Sequence, residues 1–205
     1  MKEQNNAGAL LGGGAPYAQV GAELASTYNN YSAKQQARKP PGQCLSGVWN
    51  RQAIKAQLQT YLDLGLTPIP LRGKIPRTKW RHGWDPRSLE DLEPYKNCLN
   101  WGIKTGANLC VIDFDSPEIF AKFAAENIEH LPDGLPLVKT GRGFHLWFRS
   151  SEPLRDAHFD GIDIKADGGQ IVAPPSIHPK TNRPYRFLWQ LGDSIPKLNV
   201  NSAFQ

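Results

Sequence analysis

The sequence predicts an α+β domain with a substantially antiparallel sheet. Two observations predict it. Residues 109–115 (LCVIDFD) read as a buried strand that runs straight into a helix start at Ser116-Pro117-Glu118. Beyond that helix, strand patterns dominate, at residues 137–140, 144–149 and 170–173, with a shorter one at 162–165. Helices interleaved early and strands crowded late fit an α+β order.

Composition sets the outer limits. The chain has 205 residues, 24 Lys+Arg and 19 Asp+Glu, for a formal charge of +5. With 40% hydrophobic and 21% charged residues it is an ordinary globular mixture. The length suits one domain, or one domain plus a tail. No apolar run approaches the ~20 residues that cross a bilayer, so no membrane association is expected. No basic segment leads into a solid apolar core at the N-terminus, so no secretory leader is expected. Cys44, Cys98 and Cys110 cannot all pair and show no CxxC spacing. Neither a disulfide framework nor a zinc site is therefore expected, and the expected setting is the reducing cytoplasm. The mildly basic balance permits a polyanionic partner without demanding one.

The elements follow in order. The first 43 residues carry GALLGGGAP, two Asn pairs and Lys39-Pro40-Pro41-Gly42, with Glu3 and Glu23 as their acids. Their apolar surface is too small to offset ordering entropy. Residues 1–45 are read as a flexible polar tail, with a docking segment as the alternative. Val20, Leu24 and Tyr28 allow a short helix over 18–31. The folded domain is expected over 46–195, with 196–205 as a C-terminal tail. Ile54, Leu58, Tyr61 and Leu62 fall at helical spacing, closed by Gly65. Residues 67–71 are short and apolar but hold Pro68 and Pro70, which predicts an edge strand or extended segment. Residues 72–87 read as a basic loop, and 99–105 as a strand ending at Gly106. After 109–115, Ser116 caps the helix, Pro117 fits its first position and Glu118 suits its positive end. Phe120, Phe123, Ala124 and Ile128 then mark a helical face.

Three groups of residues carry the chemistry. Asp113 and Asp115 alternate on one strand and so share a face. Neighbouring carboxylates resist joint ionisation unless a cation neutralises them, and hard oxygen donors suit Mg²⁺ or Mn²⁺. The alternative is two solvated strand-end acids. Asp163, in Gly161-Ile162-Asp163-Ile164-Lys165, is a third acid between apolar residues. It makes a two-cation site plausible, though it could equally pair with Lys165 at the surface. Between them lies Lys139-Thr140-Gly141-Arg142-Gly143-Phe144-His145. Gly141 and Gly143 would let backbone approach a phosphate, and Arg142 could grip it bidentately. His145 could donate to a triphosphate or be a structural histidine. In Ala173-Pro174-Pro175-Ser176-Ile177-His178, the prolines stiffen a loop that would line a pocket, with Ser176 and His178 near a nucleotide. The loop holding Lys74, Arg77, Lys79, Trp80 and Arg81 mixes cations with aromatics. Such a mixture binds nucleic acid through phosphates and stacking, or else the tryptophans pin the loop to the core.

These segments, in this order, resemble the bifunctional DNA primase/polymerase (prim-pol) domain of the archaeo-eukaryotic primase superfamily. The likeness runs from Gly73-Lys74-Ile75-Pro76 and Trp80, through Trp101-Gly102-Ile103-Lys104-Thr105-Gly106 and Val111-Ile112-Asp113-Phe114-Asp115, to the segments around His145, Asp163 and His178. The resemblance implies an RRM-like sheet with flanking helices. It implies that Asp113, Asp115 and Asp163 hold two Mg²⁺ or Mn²⁺ ions and that His145 meets the triphosphate. Arg142 and Lys165 are added as phosphate contacts from their positions. The implied activity is transfer of an NTP or dNTP to a nucleic-acid 3′-hydroxyl in replication of a plasmid, phage or mobile element. Single-stranded DNA is the expected template partner. The chain has no GxxxxGK[ST] loop, so any helicase is expected on a separate chain. A non-catalytic nucleic-acid-binding accessory and a metal-dependent nuclease are the alternatives.

Overall fold

The computed structural model describes residues 50–127 and 131–200. The N-terminal tail through residue 45, its candidate helix at 18–31 and Ile128 lie outside the described residues. Helix α1 (Arg51–Asp63) begins where Asn50 Oδ1 accepts the Ala53 N–H at 2.8 Å. It ends at Gly65, whose φ of +69° is the left-handed conformation glycine tolerates. Next come β1 (Pro68–Arg72), β2 (Ile75–Pro76), a 3-10 turn at Glu93–Tyr95, β3 (Asn100–Lys104) and β4 (Cys110–Phe114). Helix α2 (Pro117–Asn127) follows, with Ser116 Oγ accepting the Ile119 N–H at 3.3 Å. The remaining elements are strands: β5 (Leu137–Lys139), β6 (Phe144–Ser150), β7 (Ala157–Phe159), β8 (Ile162–Lys165), β9 (Gln170–Ala173), β10 (Ser176–Ile177), β11 (Pro184–Trp189) and β12 (Lys197–Leu198).

Two sheets form. The first has the order β2-β1-β3-β9, and the second β10-β11-β5-β6-β4-β8-β7. Every pairing along these paths is antiparallel. Strand β12 joins β6 in parallel. The α+β expectation with a mainly antiparallel sheet therefore holds.

Two expectations are corrected. Strand β1 is not at an edge, because β3 pairs one side of it and β2 pairs the end of the other. Its prolines are tolerated because their positions turn away from β3. Thr67 O accepts the Lys104 N–H, so the alternate residues Pro68 and Pro70 fall at non-bonded positions of that ladder. Residues 197–200, expected in a tail, close the domain. Strand β12 pairs with β6, and Leu198 and Val200 are buried in the core.

Alternation along β4 divides the interior. Val111 faces a core between the two sheets, which also takes Ile54, Leu58 and Tyr61 of α1 and Trp147 of β6. Cys110, Ile112 and Phe114 face the opposite core, where Phe123 of α2 packs. At the end of β4 the first face changes character. Val111 is fully buried, Asp113 is half-buried and Asp115 is exposed. Polar chemistry thus starts at the rim of the inter-sheet core.

Candidate active site

One register line crosses four strands of the second sheet. His158 of β7 faces Asp163 of β8, Asp163 faces Asp113 of β4, and Asp113 faces His145 of β6. Directly opposed residues of an antiparallel pair share a face. Asp113 and Asp163, far apart in the chain, are therefore neighbours on one side of the sheet. Asp115 lies just past the end of β4, and its N–H donates to Gly161 O at 2.9 Å. That bond ties the strand's end to the β7–β8 turn.

Basic side chains meet both paired carboxylates. Lys165 Nζ donates to Asp163 Oδ2 at 2.6 Å, while His158 Nδ1 contacts Oδ1. His145 Nε2 stands 3.3 Å from Asp113 Oδ1. Burial works to raise the Asp113 carboxyl, but the charge and hydrogen bond of His145, with Lys165, outweigh it and hold it below the usual value. At Asp163 burial likewise works upward, and Lys165 and His158 prevail. Among the described residues, no three His, Cys, Asp or Glu side chains converge as a ready metal cluster. Lys165 balances the Asp163 carboxylate directly, and His145 stands beside Asp113. The aspartate oxygens are nonetheless the donor type that Mg²⁺ and Mn²⁺ select.

A cationic group stands beside the acids. Partial desolvation and the charges of Arg142 and Lys180 lower the Lys74 ammonium, against the pull of Asp113 and Asp115. Burial first, then Lys74, Arg142 and Lys180, lower His178. His178 Nδ1 accepts the backbone N–H groups of Lys180 and Thr181 at 3.3 and 3.1 Å, which puts the proton of the neutral ring on Nε2. The Tyr185 ring lies 6.0 Å from that of His145 and 6.2 Å from that of His178. Its hydroxyl is pushed up by burial and by Asp113. Asp113 and Asp115 thus share one electrostatic neighbourhood with Lys74, Arg142 and Lys180, and the three cations are donors of the kind that receive phosphate oxygens.

Residues 58–199 match the family described as bifunctional DNA primase/polymerase, N-terminal, over more than two thirds of the chain. The chain belongs to that family. No match was found among curated proteins. The matched span of the prim-pol domain runs from within α1 to just past β12, and so holds every residue of the site described above. None of the described helices is long and apolar enough to cross a membrane.

Not every expected contact lies in the prim-pol site as foreseen. Ser176 is fully buried and committed: its Oγ accepts the Trp101 N–H at 2.8 Å and donates to Trp101 O at 3.0 Å. It joins β10 to β3 and has no hydrogen to offer a nucleotide. The Gly143 N–H is also spent, on Thr140 Oγ1 at 2.9 Å. Glycine is needed at 143 for another reason, since a Cβ there would stand 1.7 Å from Phe114 O. Trp80 is buried in the inter-sheet core, so it pins its loop and offers no face for base stacking. Arg81 lies over that ring at 5.3 Å, and the Arg77 guanidinium donates to Cys98 Sγ at 3.1 Å. Lys79 remains an exposed cation on the same loop. Lys74, expected among the nucleic-acid contacts, belongs by charge to the carboxylate site. Lys180 and Tyr185 were not singled out by sequence. Lys180 follows the His178-Pro179 pair, so a basic residue just after the rigid loop was the available signal.

Proposed function

We propose that this prim-pol domain is a metal-dependent nucleotidyl transferase that adds an NTP or dNTP to a nucleic-acid 3′-hydroxyl. The cross-strand pairing of Asp113 with Asp163, together with the Lys74, Arg142 and Lys180 charges on the Asp113 and Asp115 side, carries this reading. Asp113, Asp115 and Asp163 are the residues that would hold Mg²⁺ or Mn²⁺. When bound, such ions supply activation of the attacking hydroxyl and neutralisation of the departing pyrophosphate. The protein's own groups do the positioning. His145 steadies Asp113 through its Nε2. Arg142, Lys74 and Lys180 receive the negative charge of the triphosphate, with His178 as a neutral donor beside them. The exposed Arg77, Lys79 and Arg81 supply positive charge for the nucleic-acid backbone.

Product analysis tests the reading. A labelled primer on a DNA template is incubated with the full chain, Mg²⁺ or Mn²⁺, and NTPs or dNTPs. Lengthened strands with pyrophosphate release are expected. Shortened strands would indicate a nuclease, and bound but unaltered strands a non-catalytic accessory.

A further inference from the structure

Lys165 holds a position that nucleotidyl transfer alone does not explain. It lies two residues after Asp163 on β8, so both side chains project from one face. Its ammonium bonds Asp163 Oδ2 at 2.6 Å, and His158 takes Oδ1, so both oxygens of Asp163 are engaged. The two side chains are mostly shielded, at 31% and 28% exposure. Asp163 also faces Asp113 across the ladder, where two bare carboxylates would repel. The ammonium removes that repulsion with no bound ion.

We propose that Lys165 is a tethered counter-ion that occupies Asp163 until a divalent cation displaces it, and so sets how tightly the free domain holds metal. The proposal rests on the metal-dependent reading above and assigns a control element within it. A divalent cation on Asp163 meets the Lys165 charge as a like charge a few ångströms away. The displaced ammonium then needs a new anion. The triphosphate of the incoming nucleotide supplies one on the same face. Metal and nucleotide therefore favour each other's binding, and the free domain holds metal weakly.

The test is a Mn²⁺ titration of the nucleotide-free full chain, read from the electron paramagnetic resonance signal of free Mn²⁺. Wild type, Lys165→Gln, Lys165→Arg and Asp163→Asn are compared, with circular dichroism confirming the fold of each. Lys165→Met, which keeps the aliphatic stem, replaces Lys165→Gln if that variant does not fold. Removal of the charge is expected to tighten Mn²⁺ binding about tenfold, while Lys165→Arg stays near wild type and Asp163→Asn binds more weakly. A non-hydrolysable nucleotide is expected to tighten Mn²⁺ binding more in wild type than in Lys165→Gln. Unchanged or weaker binding in Lys165→Gln, with binding still weakened in Asp163→Asn, overturns the counter-ion role and leaves the metal site standing. Equal binding in wild type and Asp163→Asn overturns the metal reading and this proposal together.

Discussion

His178 is held neutral by its surroundings, and that has a measurable cost in acid. Its folded value lies below the ordinary 6.5, through burial and the charges of Lys74, Arg142 and Lys180. In the unfolded chain the ring takes a proton that the folded state resists. Its stabilisation is thus complete above about pH 6.5 and is lost as pH falls below it, with a slope no steeper than about 1.4 kcal/mol per pH unit. Denaturation midpoints measured across a pH series at constant buffer concentration should show this loss, and His178→Asn should flatten it; an equal slope in both chains contradicts the assignment. Gly143 is constrained by contact alone, with Phe114 O 1.7 Å from any added Cβ. Gly143→Ala is expected to cost about 2 kcal/mol by urea unfolding, as overpacking does. The acids were legible at this scale because alternation on an apolar strand is a strong local signal. Lys180 and Tyr185 were not, since neither belongs to a pattern that extends beyond its own position.

Most elements that build the site show in the sequence as apolar runs. Strands β8 and β9 match their expected bounds, and α1 follows the Ile54, Leu58, Tyr61 spacing. The β7–β8 hairpin has no apolar run to mark it, and its one local signal is the Asp160-Gly161 link between the paired strands. Strand β11 (PYRFLW) begins at a proline and alternates buried with less buried residues, which local reading overlooked. Strands β2, β10 and β12 have two residues each, too short for any period to register. Their placement comes from tertiary ties such as Ser176 with Trp101. Ser176→Ala leaves the Trp101 backbone groups unpaired in the core. It should cost about 1–3 kcal/mol of stability with nucleotide affinity unchanged by calorimetry. A selective loss of nucleotide binding in a fully stable variant would return Ser176 to the site.

At the scale of the whole molecule, two cores meet at the second sheet and the acids stand at the rim of one of them. This convergence joins residues from 74 to 180, and no local pattern in the sequence predicts such long-range partners. The site is electrostatically divided, with Asp113 and Asp163 paired across β4 and β8 and the Lys74, Arg142 and Lys180 charges on the Asp113 and Asp115 side. Lys74→Ala and Lys180→Ala should each weaken nucleotide affinity about tenfold, the scale of one charge-assisted bond. Calorimetry at low and high salt should show the deficit shrinking as ions screen the site.

The cooperation of Asp113 and Asp163 is tested most directly by single-turnover primer extension in a double-mutant cycle. Asp113→Ala and Asp163→Asn are each expected to slow extension at least about a thousandfold, and the double variant to lose little more, as residues acting as a unit do. Extension at the wild-type rate in Asp163→Asn would contradict the shared site.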